Sequence, residues 1–277
     1  MNLKNKKTAK ELLILIGKIA LGLAFVSPIL ICLLFSIQPN SEVGTAPLHL
    51  FTHHPTLDNY VFVLKNVPVL RYLLNTLFMC VVCIFCQLIF ACLASYAFVF
   101  IDFPAKRLLF TLVLATMMIP GDVVVLTNYV TVQDLSLMNT YAALVITGLV
   151  SGTAIFMMRQ YFMTLPKELK EAATLDGCGE MRFLFRVAMP LAVPTAAALA
   201  IQAFIHTFNA YFWPLLVTNS DKMRTVQIGM AMLQAGESGK VSHQLAGAAL
   251  CIIPVIIIFV IGQRYLIKGM TAGSVKG

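Results

Sequence analysis

Four polar or aromatic residues in an otherwise apolar stretch repeat on the spacing i, i+4, i+7 and i+11: Gln202, His206, Asn209 and Trp213. This spacing predicts that all four lie along one face of a single helix. Their amide and imidazole groups form hydrogen bonds and the indole ring offers an apolar platform, which suits a ligand rich in hydroxyl groups. The same stripe would also serve as polar contacts between neighbouring helices, so both interpretations stay open.

Asp122 is a second candidate for the path of a polar ligand. It follows Pro120 and Gly121 within an apolar stretch, and a proline there predicts that the helix kinks or ends. A carboxylate in such a stretch is costly and commonly faces a polar pathway. We therefore expect Asp122 either to line such a path with Asn128 and Tyr129 or to cap a broken helix.

The cysteines offer a third kind of chemistry. Cys80, Cys83 and Cys86 have the two-residue gaps typical of ligands to zinc or to an iron–sulfur cluster. All three lie deep in an apolar stretch that contains no histidine. We therefore interpret them as small apolar residues that pack between helices, and we expect no metal site and no disulfide framework.

The patterns of enzyme active sites are absent from the sequence. It contains no G-x-x-x-x-G-K-[ST] loop that would hold nucleotide phosphates and no H-E-x-x-H pair. No Ser/His/Asp or paired-carboxylate arrangement stands in a plausible setting either. We therefore expect a transport or structural chain without catalytic residues and without a bound cofactor.

The elements that must position these residues are long apolar helices. Of the 277 residues, 59% are hydrophobic and 12% are charged, and the mean hydropathy is +0.86, which is too apolar for a soluble domain. A helix that crosses ~30 Å of hydrocarbon needs ~20 apolar residues. Six stretches are long enough: Leu12–Ile37, Arg71–Phe100, Arg107–Thr127, Asn139–Phe162, Pro190–Val217 and Leu245–Leu266. Their continuous apolar character predicts an all-α polytopic membrane protein rather than a barrel.

Basic residues concentrate on one side of these spans. Most Lys and Arg residues fall in the N-terminal tail, beside Lys106, between Arg159 and Arg186, and in the C-terminal tail. By the positive-inside rule this predicts that both termini are cytoplasmic. The asymmetry accounts for most of the net charge of +8, so the basic balance does not indicate nucleic-acid binding. The first apolar stretch is too long for a cleaved secretory signal and is interpreted as a retained span.

A charged segment, Tyr161–Pro194, interrupts the apolar stretches and predicts two short helices. These are Pro166–Asp176 and Glu180–Ala188, because a proline suits the start of the first and Gly177 suits its left-handed end. Pro190 is expected to close the second helix.

One face of the first short helix is small and apolar. Leu169, Ala172 and Ala173 share it at the spacing i, i+3 and i+4. Small residues let another protein approach the backbone closely, although an amphipathic connector with a solvated face is the alternative.

The charged segment resembles the EAA signature of the permease subunits of binding-protein-dependent ABC importers. The matching residues are Glu171, Ala172, Ala173, Asp176, Gly177, Val187 and Pro190. Two departures are mild: Cys178 replaces the usual small alanine and Met189 replaces the usual leucine. Five further stretches resemble the carbohydrate branch of this family, which includes the smaller maltose permease and the glycerol-3-phosphate permeases: Arg71–Phe78, Tyr96–Phe110, Asn139–Leu144, Tyr211–Leu216 and Gln263–Gly277.

The resemblance implies a type I ABC importer transmembrane domain in a bacterial cytoplasmic membrane. It divides the chain into a cytoplasmic tail at 1–11, a first span at 12–37, a five-helix core at 71–266 with the coupling loop at 166–190, and a cytoplasmic tail at 267–277. In the family, the EAA helix inserts into a groove of a cytoplasmic ATPase, which implies a coupling role for Glu171, Ala172, Ala173, Asp176, Gly177 and Pro190.

The resemblance also implies the partners and the cargo. They are a second permease subunit, two copies of an ATPase that holds ATP and Mg, a solute-binding protein on the outer side, and membrane lipid. The expected cargo is a sugar or sugar-like solute moved by alternating access, with glycerol-3-phosphate or a related polyol as the alternative. An ion-coupled secondary transporter, which would need its own coupling-ion site, is the alternative from another class.

Overall fold

A computed structural model describes the backbone of residues 3–43, 50–235 and 240–272. Side chains are described for residues 11, 12, 14–43, 50–234 and 240–260. The described chain is helical, and its α-helices are α1 (Leu3–Ser36), α2 (Asp58–Asn66), α3 (Val69–Phe100), α4 (Lys106–Met118), α5 (Gly121–Asp134), α6 (Tyr141–Val145), α7 (Gly152–Phe162), α8 (Lys167–Leu175), α9 (Glu180–Phe183), α10 (Met189–Leu191), α11 (Val193–Phe208), α12 (Phe212–Val217), α13 (Val226–Ala235) and α14 (Val241–Ala272). A 3₁₀ turn, Ile146–Gly148, follows α6, and a π-helical turn, Leu184–Ala188, joins α9 to α10.

The expected six spans take two forms among the described residues. Three helices are continuous and long enough to cross a membrane: Ile14–Ser36, Val69–Phe100 and Val241–Val260. Three further segments pass the same test only as bent pairs, with bends of 100° between α4 and α5, 45° between α6 and α7, and 76° between α10 and α11. An all-α polytopic architecture is therefore confirmed, with six spans if each bent pair counts as one.

The third predicted span is not a single helix. α4 ends at Met118, Pro120 stands before α5, and the chain turns by 100°. Because proline supplies no N–H and disfavours a helical conformation in the residue before it, the break follows from the local sequence. The expectation of a kink or an end at this proline is confirmed.

One compact unit comprises residues 1–69 and 230–253. Within it, the buried amide of Asn59 in α2 donates hydrogen bonds to the carbonyls of Ser36 at 2.9 Å and Gln38 at 2.8 Å. These bonds satisfy carbonyls at the C-terminal end of α1 that no helical N–H reaches. Val63 and Ala246, both fully buried, anchor the apolar cluster of this unit.

The other unit comprises residues 70–229 and 254–277 and holds nearly all the residues of the candidate sites. One of its apolar clusters is built around Tyr96, Met158, Phe162 and Phe183, which are almost completely buried. A second cluster contains Met79, Cys83, Leu144 and Val217. The two clusters fix α3 against α6 and α7, so the segments that carry the site residues share one packed core.

Candidate functional site

The first short helix of the charged segment ends in a well-formed Schellman motif. The N–H of Cys178 donates to the carbonyl of Ala173 at 2.8 Å, and the N–H of Gly177 donates to the carbonyl of Thr174 at 3.0 Å. This pattern requires a left-handed residue at Gly177, whose φ is +73°. A Cβ added at this glycine would meet no atom within 4 Å, so the constraint is the backbone conformation and not space.

The second short helix differs from its prediction at Pro190. α9 continues through the π-helical turn into α10, which contains Pro190 and runs on to Leu191. The expectation that Pro190 closes the helix is therefore wrong. A π turn has wider hydrogen-bond spacing than an α-helix, and its position directly before the proline accommodates the missing N–H. The bend of 76° comes at Ala192 instead.

Three side chains that the sequence patterns did not single out tie the charged segment together. Lys170 in α8 donates a hydrogen bond to Glu180 in α9 at 2.5 Å and to the hydroxyl of Tyr96 in α3 at 2.8 Å. The Tyr96 hydroxyl also donates to Glu180. The ammonium group lies 4.8 Å from the ring centroid of Phe183, within the range of a cation–π contact. We refer to Lys170, Glu180 and Tyr96 as the clasp.

The sequence held a weak signal for the clasp. Tyr96 belongs to one of the stretches that resemble the carbohydrate permeases, and Lys170 and Glu180 flank the EAA residues. Their convergence depends on how α8 folds back over α3, which no local pattern specifies.

The alanines of the EAA signature do not share one environment. Ala173 is half-buried and packs, together with Cys178, against the cluster around Phe183. Ala172 is exposed, as is Glu171. The inward alanine therefore holds the helix on its own chain, and the outward alanine is open to a partner.

Several apolar side chains close to the outward alanine in sequence are exposed. Leu175 is 89% exposed, and Met181 and Phe185 are both more than half exposed. Exposed apolar side chains on this charged segment suit a contact with another protein, which the resemblance implies for the EAA helix. We define Glu171, Ala172, Leu175, Met181 and Phe185 as the coupling surface.

The polar stripe near position 206 borders a cavity of about 280 Å³. Gln202 and His206, both on α11, line it together with Gln87 from α3. The Gln87 amide also donates to the carbonyl of Gly148 at 2.7 Å, which fixes that side chain at the cavity wall. Hydroxyl groups complete the polar lining, from Thr147, Ser151, Thr153 and Thr207.

No sequence pattern predicted that these four hydroxyl residues belong to the site. They come from two bent pairs of helices, and short Ser/Thr-containing breaks are common in any chain. The spacing within one stretch therefore could not show that they face Gln202 and His206.

Asn209 and Trp213 do not continue the stripe. α11 ends at Phe208, Asn209 bonds back to the carbonyl of Ile205 at 2.9 Å, and α12 begins only at Phe212. The indole N–H of Trp213 donates to the carbonyl of Ala143 at 3.0 Å, and its ring packs in the cluster around Leu144. The prediction of one continuous helical face is therefore wrong beyond His206, because the helix breaks between the two pairs.

Asp122 lies in the first turn of α5 and is exposed. A carboxylate at this position interacts favourably with the positive end of the helix dipole. Asn128 and Tyr129 lie one to two turns further along the same helix and are half-buried. The choice between a path residue and a helix-end residue stays a prediction.

Two cysteines of the triplet lie in the packed interior, and Cys86 is half-buried. Cys80 and Cys83 are almost completely buried, and Cys83 contributes to the cluster around Leu144. No group of three or more His, Cys, Asp or Glu side chains among the described residues is arranged to hold a metal ion. The predicted C-terminal tail at 267–277 lies partly outside the described residues, which end at 272.

Comparison with known proteins places these features in a family. Residues 57–272 match the family model of the binding-protein-dependent transport system inner membrane component. The permease protein AraQ of the arabinooligosaccharides transport system of Halalkalibacterium halodurans is 34% identical over 267 residues, 94% of this chain and 96% of its own length. The sn-glycerol-3-phosphate permease protein UgpE of Brucella abortus is 33% identical over 260 residues, 90% of this chain and 92% of its own length.

A solved structure supports the fold. A chain from the crystal structure of a bacterial ABC transporter involved in the import of the acidic polysaccharide alginate superposes with a TM-score of 0.80. The two chains are 22% identical, and the match covers 96% of this chain and 99% of the other. The apolar helices and the family match together describe a multi-pass inner-membrane protein. The chain belongs to the family of inner-membrane permease components of binding-protein-dependent ABC transport systems.

Proposed function

We propose that this chain is one of two permease subunits of an ATP-driven importer and that its coupling surface docks on a cytoplasmic ATPase. The observation that carries the proposal is the arrangement of α8 and α9. The Schellman motif and the clasp connect the two short helices to each other and to α3, while Leu175 remains 89% exposed. Helices joined to the core that present an exposed apolar side chain suit the transmission of movement from another protein.

The sequence and the family match support a complex in which separate subunits bind ATP, form the pathway and deliver the cargo. The chain has no phosphate-binding loop, so ATP and Mg would be held by the partner ATPase, present in two copies. A second permease subunit would complete the pathway, and a solute-binding protein would deliver the cargo on the outer side. Access would alternate between the two sides as the ATPase pair closes and opens. The family match supports this proposal over the ion-coupled alternative.

A glutamine substitution pair tests the coupling role. Glu171→Gln should lower transport relative to ATP hydrolysis, because Glu171 lies on the coupling surface. Glu168→Gln is the matched control, since Glu168 is exposed on the same helix but lies outside that surface. Both variants are reconstituted with their partners in proteoliposomes, and substrate uptake and phosphate release are measured together. Equal uptake per ATP in both variants and in the wild type would contradict the coupling role of Glu171.

The cargo we propose is a neutral sugar or oligosaccharide. The polar cavity presents amide, imidazole and hydroxyl groups, and none of its described lining residues is Lys or Arg. Neutral hydrogen-bonding groups suit hydroxyl-rich ligands, whereas a phosphate is usually bound by Arg or Lys. The relative AraQ belongs by name to an arabinooligosaccharide system, which agrees with this chemistry. The relative UgpE belongs by name to a glycerol-3-phosphate system, which makes that phosphate ester the alternative cargo.

Uptake by cavity variants tests the cargo class. Gln202→Ala and His206→Ala should raise the KM for uptake of a neutral oligosaccharide by about tenfold, since each removes a polar partner. Gln160→Ala, an exposed polar residue of α7 outside the cavity, serves as the control. Uptake of glycerol-3-phosphate in preference to arabinose oligosaccharides by the complete system would overturn the neutral cargo.

A further inference from the structure

Two adjoining cavities beside the coupling surface concentrate positive charge. They measure about 800 and about 530 Å³ and share Phe98, Lys106, Arg107 and Arg159. Lys167 and Lys170 also line the larger one, so five cations face two carboxylates, Asp102 and Glu171. We name the two together the basic cavity. Nothing in the proposed transport cycle uses this excess of positive charge.

Part of the charge has partners within the chain. Lys106 donates to the carbonyl of Ile101 at 2.7 Å and lies 3.5 Å from Asp102, so it satisfies the end of α3. Lys170 belongs to the clasp. The remaining cations are Arg107, Lys167 and Arg159, and the buried Nε of Arg159 has no hydrogen-bond partner among the described residues. An acceptor atom bound in the cavity would satisfy this buried donor.

The helix ends strengthen the preference for an anion. Lys106 and Arg107 occupy the first turn of α4, and Lys167 occupies the first turn of α8. The first turn is the positive end of a helix, where cations are unfavourable and anions are favourable. Two such ends therefore face one cavity with additional cations, an arrangement that a bound anion would stabilise.

An apolar groove adjoins the basic cavity through a shared residue. The groove measures about 470 Å³, lies between α3, α4 and α7, and shares Phe98 with both parts of the basic cavity. Leu109, Leu112 and Val113 line it, and Thr116 is the one residue of its lining with a polar side chain. The guanidinium of Arg159 lies 4.0 Å from the ring centroid of Phe110, so apolar and basic surfaces meet here.

We propose that the basic cavity and the apolar groove together bind one anionic phospholipid. The phosphate headgroup would lie between Arg107, Arg159 and Lys167, and an acyl chain would follow the groove between α3 and α4. A free phosphate would use the charges but not the groove, whereas a lipid uses both. Basic pockets at the membrane face of helical proteins commonly bind anionic headgroups. The headgroup would then lie beside Glu171, which lines the same cavity.

Native mass spectrometry of the complete transporter tests the proposal. The complex is reconstituted in nanodiscs of equal parts phosphatidylglycerol and phosphatidylcholine, and the lipids that stay bound after mild extraction are counted. The test variant is Arg107→Gln with Lys167→Gln, both exposed and therefore compatible with folding. The control is Arg182→Gln with Arg186→Gln, which removes the same charge from exposed residues outside the cavity.

The wild type and the control should retain one phosphatidylglycerol per chain in preference to phosphatidylcholine. The test variant should retain at least about tenfold less phosphatidylglycerol per chain than the control. Equal retention in the test variant and the control would overturn the site. Binding of inorganic phosphate by a wild-type complex that retains no phosphatidylglycerol would show a free-anion site instead, and loss of the ATPase from the test variant without a change in lipid would show a protein interface. Each of these two results also overturns the lipid proposal.

Discussion

At the scale of single residues, Gly177 determines how α8 ends in the charged segment. Gly177→Ala should destabilise the end of α8 by about 1 to 2 kcal/mol, because a Cβ makes the left-handed conformation unfavourable although space is free. The N–H of Cys178, which closes the Schellman motif, should then exchange its hydrogen faster. Hydrogen exchange of the peptide around residue 178 measures the change.

Gly177→Asn is the matched control for that prediction. Asparagine tolerates the left-handed region, so most of the protection should return. Equal protection in the alanine variant and the wild type would show that the motif does not depend on the backbone conformation of residue 177.

Trp213 provides a second residue-scale prediction, which separates a packing role from a substrate role. Trp213→Phe removes the hydrogen bond to the Ala143 carbonyl and should lower the stability of the protein by about 1 kcal/mol. The KM for uptake should stay unchanged, because the indole packs in the cluster around Leu144 and not in the polar cavity. Thermal unfolding and uptake assays check both statements, and a changed KM with unchanged stability would contradict the assignment.

Residue patterns predicted some positions well and others not at all. The left-handed glycine at 177 and the break at Pro120 follow from backbone sterics, so the sequence alone predicts them. The separation of Trp213 from His206 depends on a break at Asn209 that contains neither proline nor glycine. Pro214 in the first turn of α12 cannot donate to the carbonyl of Ala210, so the sequence did carry a signal for this break that the spacing rule leaves out.

At the scale of helices, the clasp joins α8 and α9 to α3. Lys170→Met should leave Glu180 without its ammonium partner and loosen α8, which limited proteolysis near Lys167 would detect. The Lys170 side chain is 18% exposed and that of Glu180 is 54% exposed, so water screens the pair and their coupling energy should stay below about 1 kcal/mol.

A double-mutant cycle with Glu180→Gln measures that coupling energy. Chymotrypsin, which does not require lysine, should cleave α8 faster in Lys170→Met than in the control Glu168→Gln, whose residue is exposed on the same helix. Additive effects of Lys170→Met and Glu180→Gln would show that the two side chains do not act as a pair.

The number of spans was easier to predict from sequence than their shape. Length and continuous apolar character identify all six segments, because hydrocarbon thickness sets the required length. The bends between α6 and α7 and between α10 and α11 were not predicted, although Gly148 and Gly152 flank the first and Pro190 and Pro194 flank the second. The polar cavity depends on those bends, and for this reason only Gln202 and His206 of its polar lining were predicted.

At the scale of the whole molecule, the basic residues predict the orientation of the chain. The charged segment should face the cytoplasm and the loop near Lys222 should face outward. Trypsin added to inside-out vesicles should release peptides that end at Arg182 or Arg186, and trypsin added to intact spheroplasts should not. Release of the Arg182 peptide from spheroplasts would reverse the proposed orientation and remove the cytoplasmic ATPase from reach of the coupling surface.

The central claim is that the coupling surface attaches this permease to an ATPase, and purification of the tagged chain in mild detergent tests it most directly. The wild type should elute with a second permease and two ATPase copies and should hydrolyse ATP. Leu175→Asp places a charge on the most exposed apolar residue of the surface. The amount of ATPase that elutes with this variant should be at least about tenfold lower than with the wild type. Elution of the wild-type chain without any ATPase, or undiminished ATPase in the Leu175→Asp complex, would contradict the account.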